Sequence, residues 1–159
     1  MAHTRDGELV SYRVEGDLGS KLPPIVCANG IGVSTFFWDH LVAHFAPSRA
    51  VVVWDYRAHG KSPVPAHPEE LTLVQCARDL WDVCDHLGLE QAVLVGHSMG
   101  CQVLFEAARL HPERTLALVP MLGASGKVLE SFLGGLGIAP ILGVLVEIGA
   151  RQPHLFEQI

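Results

Sequence analysis

The residues able to do chemistry lie between Gln91 and Gly100. An apolar run reaching Val95 is followed by Gly96-His97-Ser98-Met99-Gly100, and helix-forming residues continue from Cys101 to Leu110. A strand that gives way to a helix over so few residues must turn sharply at the serine. Glycine on either side permits this, because a Cβ there would collide with the neighbouring strand and helix. The turn would stand the Ser98 hydroxyl alone at the carboxyl edge of a sheet, displayed as a nucleophile is to a carbonyl carbon. By itself Gly-x-Ser-x-Gly is also ordinary turn punctuation. What gives it chemical content is the strand before it and the helix after it.

The rest of the chain supplies elements that could position such a turn. Val10, Tyr12 and Val14 alternate with Ser11, Arg13 and Glu15, a period of two that predicts a half-exposed strand near a sheet edge. Ile25 to Ala28 and Ala50 to Trp54 are short apolar runs of the kind buried on both faces of a parallel sheet. Between them, Trp38, Leu41, Val42 and Phe45 recur at helical spacing before Pro47. Thr72 and Gln75 form a capping box for a helix whose apolar face is Leu73, Ala77, Leu80, Trp81, Cys84 and Leu87, with Gly88 past its end. Pro112 stops the helix after Ser98, and Leu116 to Pro120 is one more strand. Alternating strands and helices with continuous apolar runs predict an α/β fold with a mostly parallel, doubly wound sheet.

Composition narrows the partners. A chain of 159 residues with 49% hydrophobic and 18% charged residues can bury a core as one domain. A net charge of −6 argues against nucleic acid or an anionic membrane surface. Cys27, Cys76, Cys84 and Cys101 form no CxxC pair, and Cys76 and Cys84 lie about 12 Å apart along one helix, beyond disulfide reach. Free thiols and an amino terminus without the apolar core of a signal peptide predict a cytoplasmic protein. Residues 126–159 differ in kind: Phe132 to Val146 is apolar but interrupted by Gly134, Gly135, Gly137, Pro140 and Gly143, and too short for a membrane span. Two short helices lying over the serine are expected there.

Three segments, taken in order, resemble the α/β-hydrolase family. They are the loop Asn29-Gly30-Ile31-Gly32, the turn Asp55-Tyr56-Arg57-Ala58-His59-Gly60-Lys61-Ser62, and the serine turn itself, which looks like that family's nucleophile elbow. Two positions depart from the family pattern: Asn29 stands where histidine is commoner, and Ala58 where glycine is. The resemblance implies that Ser98 is the nucleophile and that the backbone N–H groups of Ile31 and Met99 form the oxyanion hole, with Gly30, Gly96 and Gly100 as its loop and elbow glycines. It further implies hydrolysis of esters or related small acyl compounds through an acyl-enzyme, with no cofactor and no metal. Serine at the elbow disfavours relatives that use Asp there, the epoxide hydrolases and haloalkane dehalogenases.

The larger departure follows Ser98. The family order is Ser, then Asp or Glu, then His, yet no Asp follows Ser98. Glu106, His111 and Glu113 belong to the next helix or its end. Glu130, Glu147, His154 and Glu157 lie in the apolar tail. No triad acid or base is identified, and the chain reads as residues 1–125 of a hydrolase core, incomplete at its carboxyl-terminal side, with 126–159 the start of a helical lid. Such a chain should be a poor catalyst, and its exposed sheet edge and apolar tail predict self-association.

Other residues carry weaker expectations. His97 points away from Ser98 in a tight turn, His59 is a turn residue that would be the base to test first beside His154, and His40 and His44 lack a third metal ligand. Two further readings remain. One is a pseudo-hydrolase that binds without catalysis. The other is a dinucleotide-binding oxidoreductase, in which Gly30-Ile31-Gly32 cradles phosphate and Asp55 meets a ribose.

Overall fold

The structure, a computed structural model, describes residues 1–68 and 71–123. Its strands are β1 (Ala2–His3), β2 (Leu9–Val10), β3 (Tyr12–Glu15), β4 (Ile25–Ala28), β5 (Val51–Trp54), β6 (Ala92–His97) and β7 (Thr115–Met121). Its helices are α1 (Asp39–Phe45), α2 (Leu73–His86) and α3 (Met99–Leu110). The main sheet has the order β3-β5-β4-β6-β7. The β5, β4, β6 and β7 strands run parallel, and β3 is antiparallel at one edge.

The two apolar runs are buried at every position in β4 and β5 because the sheet is covered on both faces. Val26, Ala28, Val52, Trp54 and Leu94 pack on one side with Leu80, Trp81 and Leu104. Ile25, Cys27, Val51, Val53 and Val95 face the other side with Trp38 and Val42. A Trp81 indole N–H donates to the carbonyl of Ala107 at 3.0 Å and so joins α2 to α3.

The predicted strand over residues 9–15 is in fact two. Ser11 breaks it, because its N–H donates to the Ser62 hydroxyl at 2.8 Å rather than to a ladder carbonyl, while its carbonyl accepts from Asp55 N–H at 2.9 Å. The Asp55 turn thus draws the chain out of register: β2 pairs with β1 in a small separate ribbon, and β3 enters the main sheet. The capping box is half made. Thr72 Oγ1 accepts from Gln75 N–H at 3.1 Å, but the Gln75 amide donates to Asp79 at 2.9 Å instead of returning to the cap. The helix predicted before Pro47 opens as a 3-10 turn, Thr35–Trp38, and becomes α-helical only at Asp39.

The Ala58 departure has a visible cost. Ala58 adopts φ +60°, the left-handed region in which glycine is comfortable and alanine is not. Ala58→Gly is therefore expected to stabilise the protein by about 0.5–1 kcal/mol, the relief of strain less the added unfolded-state entropy. A higher urea midpoint with an unchanged slope would show it; a lower midpoint would refute it.

Candidate active site

The topology creates the site. From β4 the chain passes to β5 on one side and then crosses to β6 on the other, so the carboxyl ends of β4 and β6 flank a switch point, where ligands bind in open α/β sheets. Ala28 pairs with Gly96, which sets Gly30 and Ser98 each two residues beyond the same rung. The loop after β4 and the turn after β6 accordingly meet.

Ser98 has φ +54° and ψ −116°, a conformation costing on the order of 1–3 kcal/mol for a residue with a side chain. The surroundings enforce it. A Cβ on Gly96 would come within 2.7 Å of the Gly100 carbonyl and 2.8 Å of Leu104 Cγ. One on Gly100 would overlap the Ala28 carbonyl oxygen and lie 2.9 Å from that of Asn29. Both glycines are thus needed because backbones touch. A third, Gly123, went unnoticed in the sequence: its Cβ would strike Cys101 Sγ and approach the Ser98 carbonyl oxygen at 2.6 Å. Only a glycine just beyond β7 hinted at it. Ser98 N–H donates to the Met121 carbonyl at 3.0 Å, fixing the turn to β7 as well. The Ser98 hydroxyl does not cap α3, although the residue occupies the N-cap position.

The Gly30 loop abuts this turn. A Cβ on Gly30 would fall 3.0 Å from His97 Nδ1 and 3.3 Å from Ser98 Cβ. The loop reverses through a turn closed by Val33 N–H donating to the Gly30 carbonyl at 3.3 Å, with Gly32 at φ +69°. Ile31, at its tip, is exposed. Met99 is the first residue of α3, where a peptide N–H has no intrahelical acceptor and the helix dipole favours negative charge.

Asn29 is buried and fully engaged. Its Oδ1 accepts from the Trp38 indole at 2.5 Å, its Nδ2 donates to the Trp54 carbonyl at 2.8 Å, and its own carbonyl accepts from Tyr56 Oη at 2.7 Å. The roles of Trp38 and Tyr56 were not legible in the sequence, where Trp38 read as part of a helix's apolar face and Tyr56 as a residue of the Asp55 turn.

The histidines fall apart into local roles. His97 stacks on Phe37 with ring centroids 4.4 Å apart, and its Nδ1 is buried without a partner. His59 Nδ1 pairs with the Arg57 carbonyl at 3.0 Å inside its turn. His111 pairs with Glu113 at the far end of α3, about 18 Å of helix from Ser98. Glu106 binds Arg109. His154, Glu130, Glu147 and Glu157, like all of 126–159, lie outside the described residues.

His40 and His44 are exposed on α1, and among the described residues no three His, Cys, Asp or Glu side chains could hold a metal. All four cysteines are free. Cys101 is a core thiol 3.2 Å from the Gly96 carbonyl, and burial pushes the Cys76 and Cys84 thiols up to about 12.

The dinucleotide alternative fails on geometry. No α-helix follows Gly30-Ile31-Gly32 directly, so no helix amino terminus is aimed at a phosphate. The Asp55 carboxylate is buried, accepts from Lys61 N–H at 3.1 Å, and has Gly60 packed so closely that a Cβ there would lie 2.5 Å from it.

An elbow serine at the switch point of such a sheet is an α/β-hydrolase arrangement, and the chain belongs to the alpha/beta hydrolase fold family, whose pattern matches residues 23–135. It is 31% identical over 108 residues to mouse epoxide hydrolase 4, covering 68% of this chain and 30% of that protein. It is 33% identical over 122 residues to the putative carbamate hydrolase RutD of Caulobacter vibrioides, covering 77% of this chain and 44% of the relative. The solved enol-lactonase of Burkholderia xenovorans superposes with a TM-score of 0.68 at 25% identity, over 92% of this chain and 61% of that one. The chain thus spans less than half the length of these two curated relatives. Among the described residues, no helix is long and apolar enough to cross a membrane.

Proposed function

We propose that the protein is a serine hydrolase acting on esters or related small acyl compounds. Ser98 attacks the carbonyl, the peptide N–H groups of Ile31 and Met99 receive the oxyanion, and water releases the acid. The observation that carries this reading is Ser98 itself: a strained, non-glycine residue held at the switch point by three glycine contacts, its hydroxyl unused by the helix it begins. Serine chemistry separates the reading from that of the epoxide hydrolase relative, because the resemblance implies Asp at the elbow for epoxide opening. No cofactor is called for. Four free thiols fit a cytoplasmic location.

Residues 1–125 would be the core and 126–159 the start of a helical lid. The triad acid and base would come from sequence outside the described residues, since Glu106, His111 and Glu113 are committed elsewhere. The 159 residues alone would then turn over poorly, a pseudo-hydrolase in effect. They would also self-associate through β7, an edge strand exposing Leu116 and Val119. A monomeric elution in size-exclusion chromatography would contradict that.

Reaction of the full-length protein with a fluorophosphonate, followed by peptide mass analysis, tests the function. Labelling at Ser98, with turnover of p-nitrophenyl esters, is the expected result. An unlabelled Ser98, or opening of epoxides without ester turnover, would overturn it.

A further inference from the structure

We propose that Asn29 is a positioning residue which, with Trp38 and Tyr56, aims the Gly30–Ile31 peptide at the oxyanion formed on the Ser98 adduct. The inference rests on the serine-hydrolase reading and adds to it the machinery that sets the donor's direction. The Ile31 N–H lies on an exposed loop, and loops of this kind wander unless something fixes them. Here the fixing is done by one residue. The side chain of Asn29 receives the Trp38 indole N–H and donates to the Trp54 carbonyl, so the loop from 30 to 37 is closed at its base and tied to the end of β5. Its main-chain carbonyl receives the Tyr56 hydroxyl, which pins the rotation of the peptide joining Asn29 to Gly30. Rotation of that peptide would carry the next one, and the Ile31 N–H, with it.

The opposite side of the loop is braced as well. Trp38 packs edge-on against Phe37 at 5.0 Å, Phe37 stacks on His97, and His97 lies so near Gly30 that a Cβ there would come 3.0 Å from its Nδ1. The bracket therefore sits between the loop and the residue preceding the nucleophile. Asn29, Trp38 and Tyr56 are all almost wholly buried, so these bonds form without competition from water. Burial also pushes the Tyr56 phenol well above its ordinary range, which keeps its hydroxyl a donor throughout the pH range of an assay. Asparagine meets this geometry with one donor and one acceptor on a short side chain. A histidine can also offer one of each, through its two ring nitrogens, which accounts physically for how either residue could serve at this position.

The test uses the full-length protein, p-nitrophenyl ester kinetics and an aryl boronic acid, whose tetrahedral adduct on Ser98 places an oxygen in the oxyanion hole. Tyr56→Phe removes only the hydroxyl on the Asn29 carbonyl. Asn29→Leu removes both side-chain bonds. A misaimed donor should lower kcat about tenfold for Tyr56→Phe and up to about a hundredfold for Asn29→Leu, with KM changed less than about threefold. Boronate affinity should fall by matching factors. Asn29→His should recover most of both.

A purely structural role would instead lower the folded fraction and leave kcat per folded molecule and boronate affinity unchanged; that result overturns the proposal. Tyr56→Phe keeps the test open if Asn29→Leu does not fold. Failure of the serine reading is distinguishable, because the unmodified protein would then neither bind the boronate nor label at Ser98.

Discussion

Ser98→Ala in the full-length protein is expected to lower kcat on esters by about 10⁴-fold or more, because no acyl-enzyme can form without Oγ. A residue of catalysis should survive, since the Ile31 and Met99 N–H groups would still hold an oxyanion as water attacks. The variant should fold as well as the parent: alanine and serine bear the same Cβ and pay the same strain at φ +54°. Ser98→Gly, by contrast, should be as inactive but more stable, because it releases that strain. Ester kinetics beside thermal melts separate the two effects. Wild-type rates from Ser98→Ala would refute the assigned nucleophile, and a Ser98→Gly variant no more stable than Ser98→Ala would show that the turn holds no strain.

Arg57→Ala should be the most damaging change away from the elbow, costing about 3–5 kcal/mol. Arg57 is buried and grips Asp79 through Nε at 2.8 Å and Nη2 at 2.6 Å, while its Nη1 meets Asp6 at 2.8 Å. This fastens the Asp55 turn to α2 and to the loop between β1 and β2. Burial pushes the Asp79 carboxyl up against the pull of Arg57, so removing the arginine leaves an acid with no counter-charge and almost no water. Asp79→Asn in the Arg57→Ala background should restore part of the loss, by removing the stranded charge. Urea unfolding of the single and double variants measures this. Equal stability of the two would mean that Asp79 is not the source of the penalty.

The same network predicts an acid response. Hydrogen bonding from Arg57 lowers the Asp6 carboxyl from 3.8 to about 2. A folded value below the unfolded one stabilises the fold above pH 3.8, and the contribution is lost as the pH falls through about 2. Because the Asp6 side chain is 36% exposed, screening reduces this to about 1 kcal/mol. Asp6→Asn should flatten that part of the stability profile; an unchanged slope between pH 4 and pH 2 would count against it.

The sequence by itself determined the parallel strands of the main sheet, the three helices and their order, though not β1 or the division of residues 9–15 into β2 and β3, because each of the former was signalled by a local rule. Continuous apolar runs marked β4 and β5, helical spacing marked α2, and two glycines around Ser98 marked a turn that only close backbones require. It also indicated where the residues after Ser98 would go: the helix carries His111 and Glu113 past the far end of α3, away from the serine.

Tertiary structure decided what depends on partners distant in the chain. Ser11 reads as a strand residue until Ser62 and Asp55 take its peptide groups, 51 and 44 residues away in the chain. Asn29 reads as a departure from a family pattern, and only the meeting of Trp38, Trp54 and Tyr56 around it reveals a bracket. Gly123 carries only the weak signal of a glycine after a strand, because the Cys101 thiol and Ser98 carbonyl that forbid a Cβ there arrive from α3 and the turn before it. Periodicity reports which face of an element is buried; it carries no record of which side chain waits on the other side.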